Sequence, residues 1–263
     1  MTVYNDVPES LPNQIVGRVK DEYFYQGDDT QRFPIGCMYR LGKKSFAYAR
    51  AGATLVPNIG CKAYGRQTVA YATVAASSIV GATELTIDIA ASDGAAGDGI
   101  LAKDELYDGE VVIFPHSDNA MCRRILGNTA VATGGGECTL TLEHGLGIAT
   151  VVDVTHAECI GSMFKDVRST NGTVDSIVGV PVNPATVGQF TFIQTWGPVW
   201  ISPQAAVSVG NNNREVVFRH DGSIDEHDYS DAVVAKAQHA GFVIYNAIGG
   251  GQGAPFIFLQ IAR

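Results

Sequence analysis

The stretch Gly179–Pro198, GVPVNPATVGQFTFIQTWGP, decides the fold class. Proline and glycine punctuate it, and between them apolar side chains recur at every second residue. Phe190, Phe192 and Trp196 fall on one side, Thr191 and Ile193 on the other. That period is the signature of a half-buried antiparallel strand. Val199–Ile201 reads as a second strand directly after Pro198. The stretch carries no nucleophile elbow, no metal-ligand spacing and no phosphate-cradling glycine motif. It is built to pack.

The same grammar extends outward. Leu41-Gly42-Lys43-Lys44-Ser45-Phe46 reads as a hairpin turning at Gly-Lys, followed by Phe46-Ala47-Tyr48-Ala49 alternating large and small. Thr68–Ala75 (TVAYATVA) sets Val69, Tyr71 and Thr73 against Ala70, Ala72 and Val74. Glu84–Ile89 (ELTIDI) places Leu85, Ile87 and Ile89 on one face, and Cys138–Glu143 (CTLTLE) echoes it with Leu140 and Leu142 inward. Gly109–Phe114 and Thr150–Thr155 (TVVDVT) read as further strands, as do Ala206–Val209, Glu215–Phe218 and Phe256–Ile261. One short helix is expected over Ser230–Ala240 (SDAVVAKAQHA), capped by Ser230 and stopped at Gly241.

The expected fold is therefore mainly β, with antiparallel β-barrel or sandwich modules, an extended N-terminal arm and one short helix. The arm covers residues 1–35, and 36–65 joins 179–263 in a β core domain. Residues 66–155 form a β subdomain, and 156–178 a connector. The arm is polar and aromatic-rich, and it either wraps its own domain or reaches onto a neighbour. That makes Tyr23, Phe24 and Tyr25 interface candidates, together with Trp196 and Trp200.

Composition narrows the function classes. Of 263 residues 46% are apolar and only 17% charged, with 30 glycines. An average globular domain has roughly 25% charged residues, so part of this surface is expected to lie under a partner. The net charge is −9, and the basic pairs Lys43-Lys44 and Arg123-Arg124 are too small to form a nucleic-acid footprint. Five cysteines form no CxxC pair, which favours free, mostly buried thiols and assembly in a reducing cytoplasm. The opening MTVYNDVPESLPNQ has neither the basic n-region nor the apolar h-region of a signal peptide, and no apolar run is long enough for a membrane span.

The densest chemistry is His220-Asp221-Gly222-Ser223-Ile224-Asp225-Glu226-His227-Asp228. His220, Asp225 and His227 are the candidate metal ligands, but the order fits neither an EF-hand nor HExxH, and an acidic turn is the expected reading. No cofactor is expected. A hydrolase using this cluster is one alternative, without G-x-S-x-G to support it. Asp104-Glu105 and Asp108/Glu110, which could be taken for a glycosidase pair, read as surface charge.

Three segments resemble tailed-bacteriophage virion proteins. Phe46–Tyr64 is similar to their strand ending in an FxYA-like motif before Ala-Gly-Ala-Thr. Gly81–Phe114 (GATELTIDI, then DGEVVIF) looks like their GATxLTIxI…DGxVxI segment, and Gly179–Pro198 is similar to their GVPVxxxxxGxFxxxQTxGP run. The resemblance implies a non-enzymatic structural protein of the virion, a capsid decoration (cement) protein assembled in the host cytoplasm. Its partner would be the major capsid protein, and it would occur as a homo-oligomer, typically a trimer. It brings no catalytic residues. The alternative within the particle is a tail or baseplate component that touches receptor or glycan through Trp196 and Trp200.

Overall fold

The computed structural model describes residues 22–262 except 64–66, 95, 116–119, 133, 171–175, 205–206, 208–213, 229–236 and 246–254. The chain divides into two compact units, Met1–Tyr64 with Phe164–Arg263, and Gly65–Met163. The mainly β expectation holds. The described residues form two antiparallel sheets, one ten-stranded and one six-stranded, each curled into a half-barrel, plus a single-turn helix.

The ten-stranded sheet belongs to the first unit. Helix α1 (Glu22–Tyr25) precedes the hairpin β1 (Met38–Leu41) and β2 (Lys44–Arg50), in which Leu41 opposes Lys44 across the expected Gly42-Lys43 turn. Gly42 supplies the positive φ of 60° which that turn requires. The large/small alternation in β2 serves two cores. Phe46 and Tyr48 join Phe24, Cys37, Tyr39 and Phe192, while Ala47 and Ala49 join Leu55, Cys61, Val167, Val178 and Ile193. Small residues on one face let the neighbouring strands approach closely, and aromatic ones fill the other.

In the second unit, β4 (Gln67–Thr73), β5 (Glu84–Ile89), β6 (Glu110–Phe114), β7 (Met121–Asn128), β8 (Gly136–Leu142) and β9 (His156–Ile160) run in the order β4-β9-β6-β7-β8-β5. The curl brings the ends of this sheet together where Val74 bridges Ile87. The two echoing segments prove to be cross-strand partners: Leu85 faces Leu140, Ile87 faces Cys138, and Thr86 meets Thr139 through a 3.0 Å hydroxyl contact. Their inward residues are fully buried in one aliphatic core.

Three strand readings need correction. Along β4 and the residue after it the buried apolar residues are Val69, Ala72 and Val74, because a bulge at Ala70-Tyr71 shifts the phase by one residue. Tyr71 takes φ 47° there and is turned outward onto His156, 4.2 Å away. Thr150–Thr155 is a turn with Val151, Val152 and Val154 exposed, locked where the Thr155 hydroxyl accepts from the Val151 amide. The connector expected at 156–178 carries β9, β10 (Val167–Ser169) and the start of β11 (Ile177–Pro181). Ala157, Cys159 and Val167 are small or β-branched residues that bury completely, so these short segments pair instead of linking.

The stretch that decides the fold becomes β11 and β12 (Phe190–Trp200). The latter is a single eleven-residue strand that runs through Pro198 instead of ending there. It pairs with β2, β11 and β16 (Phe256–Gln260). The register slips between Gln194 and Trp196, where the buried Gln194 amide donates to the carbonyls of Trp196, Gly197 and Pro198 at 3.0–3.2 Å. Beyond β16 the sheet continues through β15 (His239–Tyr245), β13 (Glu215–Phe218) and β14 (Ile224–Glu226), while β3 (Cys61–Ala63) lies between β10 and β11.

The helix expected over 230–240 falls mostly outside the described residues. His239 and Ala240 open β15, and Gly241 is a strand glycine whose added Cβ would run into the Phe258 carbonyl.

Candidate functional site

The candidate metal ligands part company. β13 and β14 form a hairpin whose turn is closed where the Arg219 amide donates to the Ser223 carbonyl and the Gly222 amide to the Arg219 carbonyl. Asp221 accepts from the amide and hydroxyl of Ser223 at 3.0 and 2.5 Å. Burial pushes the Asp221 carboxyl up, but these two donors, with His220 and Arg219 nearby, outweigh it and leave it below the usual carboxylate range. Asp225 pairs with Arg219 at 2.6 Å, and His220 is exposed at the turn. The cluster is turn architecture. Among the described residues, no group of three or more His, Cys, Asp or Glu is arranged to hold a metal.

His227, buried, goes elsewhere. It lies 3.5 Å from Glu215, whose other oxygen accepts from His239 Nδ1 at 3.0 Å. Because a carboxylate only accepts, Nδ1 carries the proton. His239 Nε2 meets Gln260 Oε1 at 3.2 Å. Glu215 and His239 were not among the sequence candidates. Only cross-strand pairing brings positions 215, 239 and 260 together, and no local spacing announces that.

This polar line borders an aromatic sheet face. Gln260 opposes Trp196, Phe242 and Pro198 both oppose Phe258, and Tyr245 and Trp200 both oppose Phe256. Phe242 stacks on Phe258 at 5.4 Å and 5°, and Trp196 meets Phe258 edge-on at 5.5 Å and 90°. A bulge between Val243 and Tyr245 turns both Ile244 and Tyr245 outward. The opposite face of the same strands is already a complete core of Val216, Val243, Ile257 and Leu259 with Ile201 and Ile224.

The sheet is thus apolar on both sides, and one side is partly exposed. Phe242, Tyr245 and Phe256 are 41%, 65% and 46% exposed. At ~200 Å² per aromatic side chain that leaves about 300 Å² of ring surface in water, before Ile244 and the half-buried tryptophans are added. Isolated exposed apolar residues need no explanation, whereas a patch of this size falls at the lower end of the ~300–600 Å² reached by the largest apolar patch of a monomer, a patch that is often functional.

Next to this face lies a cleft of ≈ 160 Å³ walled by Lys44, Asn58, Pro181, Gln194, Val199, Trp200 and Phe256. The Trp200 indole nitrogen is buried without a hydrogen-bond partner. A buried donor left unpaired costs roughly 1–3 kcal/mol.

Of the interface candidates, Trp196 and Trp200 therefore sit on the exposed face. Phe24 does not: it is 6% exposed and stacks on Phe192 at 4.6 Å, while Tyr23 packs on Phe33. From Glu22 onward the arm wraps its own unit. The side chain of Tyr25 and residues 1–21 lie outside the described residues. Of the carboxylates near β6, Asp104 and Glu110 are exposed, as surface charge would be, whereas Asp108 is bound by Arg124 within a nearly buried network.

Among the described residues no helix is long and apolar enough to cross a membrane. Compared with family models, with curated proteins and with solved structures, the chain matches none.

Proposed function

We propose that this chain is a non-enzymatic structural protein that assembles through the aromatic face of its larger sheet. Its place is the one the sequence resemblance implies: a decoration protein of a phage particle, binding the major capsid protein and reinforcing the shell. The occupant of the face is a second copy of the chain, in a homo-oligomer of which the trimer is the expected form.

One observation carries this reading: a three-strand aromatic face, apolar on the side that its own core does not use. Its exposed ring surface of about 300 Å² is the right size for the apolar centre of a standard interface, which buries ~800 Å² per partner. The polar line of His227, Glu215, His239 and Gln260 supplies the rim. Repeated over a symmetric shell, contacts that are individually weak sum to a strong array.

The test is sedimentation equilibrium of the full chain beside the double variant Phe242→Ser/Tyr245→Ser. The wild type is expected as a discrete oligomer, and the variant as a folded monomer that no longer co-sediments with shells lacking the protein. A monomeric wild type at tens of micromolar would overturn the reading.

A further inference from the structure

We infer that the open margin of β1 takes up an extended acidic peptide segment of a partner protein as an added strand. This surface is separate from the aromatic face, and the inference does not depend on the assembly reading.

The main chain of β1 points two ways. The Tyr48 amide donates to the Cys37 carbonyl at 3.0 Å, and Leu41 opposes Lys44 across the two-residue turn. Antiparallel pairs alternate between bonded and non-bonded. Residues 37, 39 and 41 therefore turn their main-chain groups toward β2, and Met38 and Arg40 turn theirs away. No described residue bonds the amides or carbonyls of Met38 and Arg40.

Other margins are covered. In the first unit the Ile224 amide of β14 donates to the Ser202 carbonyl, and the Gly52 amide donates to the Val167 carbonyl of β10. In the second unit the ends of the sheet meet at the bridge between Val74 and Ile87. A margin left with unpaired main-chain groups is a template for strand addition.

Charge selects the strand. Arg40 is exposed on the margin, Lys43 is exposed in the turn and Lys44 follows it. None of the three makes an ion pair among the described residues. Between Asp29 and Glu84 the sequence holds no Asp or Glu, although the chain as a whole carries −9. Neighbours along a strand point to opposite faces, so an added strand meets Arg40 on one face and Leu41, 55% exposed, on the other. A segment in which acidic and apolar residues alternate answers both, because opposite charges attract across neighbouring strands. The same cations turn away the β1 margin of a second copy, which would bring like charges together.

The probe is the acetylated, amidated peptide Glu-Val-Asp-Val-Glu, labelled with a fluorophore and titrated into the full chain. Its anisotropy is expected to saturate, with affinity falling as salt rises, and amide exchange at Met38 and Arg40 is expected to slow. Arg40→Glu/Lys43→Glu, two exposed positions, is expected to weaken binding about tenfold or more. The peptide Lys-Val-Lys-Val-Lys is expected not to bind. Neither is the acidic peptide with every amide N-methylated, which keeps its charges and loses its donors.

An acidic peptide that fails to bind the wild type would mean that the cations only block the margin, and would overturn the inference. Equal binding of the N-methylated form would do the same, by making the contact charge without strand addition. An affinity indifferent to Arg40→Glu/Lys43→Glu would place the peptide elsewhere and sink the inference too.

Discussion

Arg124 occupies the most demanding position of any single residue in the smaller unit. Its side chain is 12% exposed and the Asp108 side chain 9%, with Glu143 at 3.3 Å as a second carboxylate and Ser162 donating to Asp108 at 3.3 Å. Burial pushes the Asp108 carboxyl up, and Arg124 and Ser162 pull it back without cancelling the effect, so it stays above its ordinary value. A carboxyl raised in the fold favours the folded state when protonated and costs stability as pH climbs past its unfolded value. Removing the guanidinium would leave that cost unopposed. Arg124→Met is therefore expected to lose about 3–5 kcal/mol at neutral pH, and the loss should shrink in mildly acidic buffer as Asp108 takes up a proton. Urea unfolding of wild type and variant at the two pH values checks this; a deficit that grows in acid would contradict it.

At the scale of elements, bulges decide where the sequence can be read and where it cannot. ELTIDI and CTLTLE keep strict phase, and their inward residues could be named in advance because no extra residue interrupts either strand. TVAYATVA could not be read correctly, since one inserted residue at Ala70-Tyr71 inverts the face of everything after it and no side chain announces the insertion. TVVDVT misled because β-branched residues suit a strand, yet Asp153 at φ 60° bends the backbone into a turn. β12 was divided at Pro198 because proline lacks a ladder donor, whereas the fold tolerates it beside the Gln194 amide that satisfies nearby carbonyls. Gly197 makes that strand possible. Its φ is 94°, and a Cβ there would run into the Lys43 carbonyl. Gly197→Ala is expected to cost roughly 1–3 kcal/mol or more. Gly42→Ala, at φ 60° with nothing near the added Cβ, should cost less. Thermal unfolding of the two variants side by side tests the ranking, and equal costs would refute the close-approach argument.

Across the whole molecule the aromatic face was half legible. Trp196 and Trp200 stood out as tryptophans four apart, but Phe242, Phe256 and Phe258 sit in strands that are apolar on both sides, where alternation cannot say which side becomes core. The thiols report on the cores independently of that face. Cys37 and Cys61 are buried in the first unit, Cys138 and Cys159 in the second, and Cys122 alone is exposed. Burial pushes the Cys61 thiol up to about 12, with its Sγ hydrogen-bonded to the Gly179 carbonyl, and raises Cys138 and Cys159 as well. Since the thiolate is the reactive form, these groups stay inert while their cores are closed. Pulse alkylation read by mass spectrometry should label Cys122 alone in native buffer. With rising urea, Cys138 and Cys159 should gain label together, because both belong to one aliphatic core that opens cooperatively. Cys37 and Cys61 lie in adjoining clusters that share β2 and β12, so they should also gain label as a pair. If Cys138 became reactive while Cys159 stayed protected, the curled six-stranded sheet would not be a single cooperative core, and the packing derived for it would be wrong.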